Sequence, residues 1–223
     1  MAAEVNEHDF SYSYEDYNLN PDPDHSPMYL ASTLRALSGL APGAAVLDAG
    51  CGGGLFSVGL SDAGFDVHGL DMSESGITAA RARNIGKFEV ASVYNDLARP
   101  FGRQDFDAIV AIEVIEHLYS PARFAEMAFD ALKPGGVVVI TTPYWGYAKN
   151  IVLAVTNRID RSLTALWEGG HIKHFSKSTL SQLMRSAGFE VVVFEGCGEG
   201  WRGHAPGLWN GMMMAFHKPQ TID

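Results

Sequence analysis

Two clusters of residues carry functional groups at spacings that could do chemistry. The first is Asp48-Ala49-Gly50-Cys51-Gly52-Gly53-Gly54, an acid followed by a glycine-rich turn. Without a Cβ, glycine takes positive φ and lets a ligand lie against the backbone. The apolar residues Val46 and Leu47 precede the acid and Leu55-Phe56 follow the turn, so the stretch reads as a buried strand, a tight loop and a helix start. That is the shape of a nucleotide-type crevice. A dinucleotide fingerprint counted from Gly50 needs glycine where Leu55 stands, and counted from Gly52 it needs glycine where Ser57 stands, so NAD does not fit. No lysine lies between Gly50 and Lys87, which disfavours a phosphate-cradling loop for a nucleoside triphosphate.

The second cluster is Glu113-Val114-Ile115-Glu116-His117. Glu113, Glu116 and His117 stand at i, i+3 and i+4, which puts them on one face of a helical turn. Three readings stay open. Glu113 or His117 acts as general base beside a substrate. Alternatively the three ligate a divalent metal, with carboxylate and imidazole together suiting Mn²⁺ or Zn²⁺ better than Mg²⁺. In the third reading they bond the local backbone. Two more histidines lie in Gly170-His171-Ile172-Lys173-His174-Phe175-Ser176, where His174 and His171 could orient or deprotonate an acceptor, or simply open a helix. Asp71 ends the second apolar strand, one strand-helix-strand unit beyond Gly50, where a carboxylate can accept from both hydroxyls of a ribose. Its alternative role is to cap the helix begun by Ser73.

The Asp-x-Gly-x-Gly-x-Gly loop resembles motif I of the class I S-adenosylmethionine (SAM) dependent methyltransferases. The resemblance runs from about Val46 to Lys218 and includes Asp71, Glu113 to His117, the Lys133-Pro134-Gly135-Gly136 step and the His-x-x-His-Phe-Ser segment. It implies a Rossmann-like α/β fold: a seven-stranded, mostly parallel sheet with helices on both faces, its last strand inserted antiparallel between strands five and six. It implies SAM as cofactor, with Asp48, Gly50, Gly52 and Gly54 holding the methionine part and Asp71 the ribose. Cys51 and Met72 count with these two groups. Ile112 packs nearby at the end of strand four. The family's usual acidic or polar adenine contact is missing here, so backbone groups at Val93 and Tyr94, or stacking on Tyr94, are expected to serve. Ubiquinone-biosynthetic O-methyltransferases share the Glu-x-x-Glu-His motif, and the metal proposed for them would fall on Glu113, Glu116 and His117. The implied reaction is methyl transfer to a small-molecule acceptor, most simply an oxygen nucleophile, with Glu113, His117 and His174 as the catalytic candidates. An N- or C-methyltransferase and a non-catalytic SAM-binding module are the alternatives.

The elements needed to position these groups can be read in order. A helix is expected over Met28–Leu40, a second over Leu55–Ala63 closed by Gly64, and a third over Ser73–Arg83. Strands are expected at Phe65–Leu70, Lys87–Val93, Asp105–Ile112, Val137–Ile140, Phe189–Glu195 and Leu208–His217. Lys133 to Gly136 is expected as a turn that breaks the helix begun at Pro121.

One domain over residues 28–223 accounts for the length, and 47% apolar residues suffice for a full core. Residues 1–27 hold seven acids and no Lys or Arg, with several aromatics, and are expected to be a lid or a tail. The net charge of −10 argues against nucleic acid as a partner. Residues 143–177 form an insert expected over the acceptor site, with apolar residues and flanking cations that suit a hydrophobic or anionic acceptor. Two cysteines, one inside the glycine loop, fit a reduced, cytoplasmic setting, and no apolar run is long enough for a transmembrane segment.

Overall fold

The computed structural model describes residues 26–103, 105–163, 166, 170–198 and 205–220. The lid or tail expected at 1–27 therefore lies almost wholly outside the described residues. The chain runs α1 (Ser26–Ala36), β1 (Ala45–Ala49), α2 (Leu55–Asp62), β2 (Asp66–Asp71), α3 (Glu74–Ala82), β3 (Lys87–Val90) and β4 (Phe106–Ile112). A 3₁₀ turn (Ile115–His117) leads to α4 (Pro121–Ala131) and β5 (Leu132–Pro143). Then follow α5 (Tyr147–Val155), the short α6 (Asp160–Leu163), α7 (Lys177–Ser186), β6 (Glu190–Cys197) and β7 (Gly211–His217).

The strands form one sheet in the order β3-β2-β1-β4-β5-β7-β6. β1 to β5 pair in parallel, and β7 runs antiparallel between β5 and β6, as expected. Central strands in such a sheet are covered on both faces, so they need continuous apolar runs rather than alternation. Every residue of β1 is buried, and so are Met212 to Phe216 of β7. One core layer gathers Phe106, Ile109, Phe124, Leu180 and Met184, and the other gathers Leu37, Leu60, Ile77 and Phe88. The strand-to-helix order fixes the functional edge: β1, β2, β4 and β5 all end on one side, at Ala49, Asp71, Ile112 and Pro143.

Two expectations about local structure are corrected. Lys133 to Gly136 is not a turn ahead of the fifth strand but its beginning, because Gly135 and Gly136 exchange backbone hydrogen bonds with Lys218 (3.0 and 2.9 Å). Lys133 also has an ionic role there, its Nζ lying 2.6 Å from Asp107 Oδ1. Secondly, Glu113 does not share a helical turn with Glu116 and His117. Its φ is +54°, and only Ile115–His117 form a 3₁₀ turn.

Candidate active site

The glycine loop is pinned to the end of β2. Gly50 N and Cys51 N both donate to the Leu70 carbonyl, at 2.8 and 3.0 Å. Gly54 has φ +72°, and a Cβ on it would come 2.9 Å from the Ala80 Cβ, so the loop packs on α3 only with glycine there. Gly52 differs. Its φ is +50°, yet a Cβ would meet nothing within 4 Å, so this turn of backbone faces open space. A flat ligand can approach it there.

Asp71 ties the crevice together. One carboxylate oxygen accepts from Gly52 N (2.9 Å) and the other from Ser73 N (2.8 Å). The cap of α3 itself is Ser73, whose Oγ accepts from Gly76 N at 3.0 Å. Each Asp71 oxygen keeps a second lone pair for a ligand hydroxyl. Met72, beside it, is 54% exposed. Asp48 is buried and accepts from Ser57 Oγ at 2.6 Å, and burial pushes its carboxyl up to about 7. The buried Cys51 thiol is likewise pushed up by burial. Val93 is buried; Tyr94 is strapped to the start of α4, its hydroxyl accepting from Ser120 N (3.3 Å) and its carbonyl from Arg123 Nε (3.2 Å). Ile112, half-buried, closes β4.

At the exit of β4 the polar groups are side chains. Glu113 N donates to both the carbonyl (3.3 Å) and Oγ1 (3.0 Å) of Thr141, and Thr141 Oγ1 donates to Glu113 Oε1 at 3.0 Å. These bonds hold Glu113 in a left-handed conformation that costs on the order of 1–3 kcal/mol in a residue with a Cβ. The Tyr29 hydroxyl, from the first turn of α1, also hydrogen-bonds Glu113. Burial pushes the Glu113 carboxyl up to about 7. Glu116 is fully buried; its carboxyl oxygens and Thr142 Oγ1 make no well-formed hydrogen bond among the described residues, and Glu116 faces Thr142 and the Glu113 carboxyl. Burial, and then the charge of Glu113, holds the Glu116 carboxyl well above its ordinary range.

The histidine segment docks onto this turn. Ile172 N and Lys173 N both donate to the Glu116 carbonyl, at 3.0 and 2.9 Å, which brings the His171 ring edge-on to His117 with centroids 5.1 Å apart. Ligand atoms of Glu116, His117 and His171 all lie within 4.8 Å of one another. Two of the three residues expected to ligate a metal are thus together, with His171 completing the group, while Glu113 engages Thr141 and Tyr29. Burial and the neighbouring His117 push His171 down to about 4. His174 stands perpendicular to Trp145, ring centroids 4.4 Å apart, and burial lowers it too. Tyr29, Thr141 and Thr142 escaped the sequence reading. For the threonines a signal existed: two adjacent hydroxyls close an apolar strand at the edge where ligands bind.

The methyltransferase-domain family model matches residues 25–193. A ubiquinone biosynthesis O-methyltransferase of Bordetella avium is 31% identical over 188 residues, covering 79% of this chain and 77% of that protein. The protein of the same name from Alkalilimnicola ehrlichii is 34% identical over 126 residues, and there the match spans 55% of this chain and only half (50%) of the relative. Among solved structures, the magnesium protoporphyrin IX methyltransferase of Synechocystis with bound SAH superposes with a TM-score of 0.65 at 17% identity, over 87% of this chain and 83% of that one. That likeness shows the fold. With the glycine loop, Asp71 and the β4 exit arranged at one sheet edge, the chain belongs to the class I SAM-dependent methyltransferases.

Proposed function

We propose that the chain transfers the methyl group of SAM to a hydroxyl oxygen of a small-molecule acceptor, with Glu113 as the proton acceptor. The observation that carries this is the Glu113 carboxyl, raised to about 7 at the end of β4, where the crevice and the histidine segment meet. Methyl transfer is an in-line displacement at a sulfonium, so alignment supplies much of the rate. The protein must still remove the hydroxyl proton, and a base poised near neutral pH suits that step. His117 and His174 are the further candidates; His174, lowered by burial, is neutral and able to accept. Asp48, Gly50, Cys51, Gly52 and Gly54 would hold the methionine part, Asp71 and Met72 the ribose, and Val93, Tyr94 and Ile112 the adenine side.

The acceptor is read as hydrophobic or anionic. α5, within the insert, exposes Tyr147, Ile151, Val152 and Val155. Its first turn and α7 flank an open groove of about 750 Å³ that includes Tyr144, Tyr147, Lys177 and Arg185 and no acid in its lining. The O-methyltransferase names of the relatives favour a phenolic hydroxyl. A divalent cation is a second reading, favoured by the buried Glu116 carboxyl clustered with His117 and a neutral His171. Those three residues would hold it, and it would polarise the acceptor oxygen.

The test is transfer from methyl-labelled SAM to 3,4-dihydroxybenzoate and related catechols, with and without chelator, in wild type and Glu113→Gln. An O-methylated product lost in the variant supports the reading. SAM binding without transfer to any of the panel would favour a binding module instead.

A further inference from the structure

Tyr29 lies outside every motif, far from Glu113 in the chain, and its side chain is only 3% exposed. Three observations single it out. Its hydroxyl reaches the Glu113 carboxylate across the sheet face that α1 covers. The sheet is notched to admit it: a Cβ on Gly211, the first residue of β7, would lie 2.0 Å from the Tyr29 hydroxyl oxygen. And α1 is pinned one turn further on, where Ser32 Oγ donates to Glu195 Oε1 of β6 (2.9 Å) and Arg35 pairs with the same oxygen (2.5 Å). A helix fixed at that point can hold the hydroxyl in the notch.

Thr141, from β5, supplies one donor to the Glu113 carboxylate and Tyr29, from α1, a second, with the Glu116 carboxyl a further contact from the 3₁₀ turn. A carboxylate held by donors on two separate elements cannot rotate freely about its last bond, so its remaining lone pairs keep one direction. For a base, that direction is part of the rate. Facing the same carboxylate are Glu116 from the 3₁₀ turn and Lys149 from α5. Neither is aimed through a notch.

We propose that Tyr29 is a positioning residue for methyl transfer: seated in the notch left by Gly211, its hydroxyl fixes the Glu113 carboxylate toward the acceptor. This rests on the reading of Glu113 as the base.

Tyr29→Phe keeps the ring in the core and removes only the hydroxyl. With 3,4-dihydroxybenzoate as acceptor, kcat falls about tenfold, the factor a lost hydrogen bond to a charged group corresponds to. The KM for acceptor and the affinity for SAM stay within twofold of wild type. Gly211→Ala fills the notch and gives a similar fall, and the double variant loses no more than either single one. Crystal structures of wild type and Tyr29→Phe supply a readout independent of turnover, with the Glu113 carboxylate rotated in the variant. An unchanged carboxylate, or a fall in kcat matched by an equal fall in SAM-binding sites, overturns the proposal. So does a normal rate in Tyr29→Phe alongside a crippled Glu113→Gln, which leaves the base reading standing. A normal rate in Glu113→Gln would take down both.

Discussion

The two ends of the crevice are built on opposite plans. On the β1–β2 side the acids are satisfied by the protein itself: Asp48 by Ser57, and Asp71 by the backbone of Gly52 and Ser73. On the β4–β5 side Glu113 is held by Thr141 and Tyr29, but the groups beside it are less well paired. Neither oxygen of Glu116 nor Thr142 Oγ1 makes a well-formed hydrogen bond among the described residues, Glu116 facing Thr142 and the Glu113 carboxyl, and Glu113 holds a positive φ. A buried polar group without a partner costs on the order of 1–3 kcal/mol, more if charged. Under the proposed function, the first side is a finished frame for a cofactor of fixed shape. The second keeps hydrogen-bonding capacity in reserve for whatever enters.

If that division is real, variants on the two sides should fail differently. The largest effect is expected for Gly54→Val, which drives a side chain into Ala80 at a positive φ. Calorimetric titration should find SAM affinity down more than about a hundredfold, with a lowered melting temperature. On the other side, Glu113→Gln should cost about a hundredfold in kcat and leave SAM affinity within threefold. Equal losses in both quantities would erase the division.

Asp48→Asn sharpens it through pH. The folded carboxyl titrates near 7, well above its ordinary 3.8, so between those values the folded state holds the extra proton. The associated stability is present in full below about pH 4 and lost as pH rises through 7. Urea unfolding should therefore find Asp48→Asn close to wild type near pH 4 and progressively more stable than wild type as pH rises to 8. The gain is roughly 2–4 kcal/mol, an upper-end figure from the shift alone. The same difference at both pH values would mean that the frame is not as dry as described.

The smallest effect expected is a gain. Glu116→Met replaces a buried, poorly paired acid with a side chain of similar size and should raise stability by about 1–2 kcal/mol. A drop in stability would show that Glu116 is satisfied in solution and holds nothing in reserve.

Legibility in the sequence followed the same line. The glycine loop and Asp71 act through backbone geometry within one strand-turn-helix unit, so their spacing alone pointed to a crevice, and the strand order followed from the family resemblance. The Glu-x-x-Glu-His turn was visible as a motif, but its shape was not. Regular helix spacing would place Glu113 with Glu116, whereas the two hydrogen bonds from Glu113 N to Thr141, on the neighbouring strand, pull it out of the turn. Lys133 to Gly136 misled for a similar reason, since a Pro-Gly-Gly step reads as a turn unless Lys218 is known to pair beside it. Tyr29 was illegible altogether: nothing near it in the chain marks it, and only the packing of α1 against Gly211 and Glu113 gives it a partner.

β7 follows β6 in the chain but lies inside the sheet, bonded to β5 on one edge and β6 on the other. During synthesis on the ribosome, β1 to β4 can therefore pair as they emerge and shape the glycine loop early. β5 and β6 must wait with bare edges until Gly211–His217 is made. The half proposed to receive the cofactor can take form while β5 to β7 are still to be made, and the half proposed to choose the acceptor is closed only once β7 has followed β6.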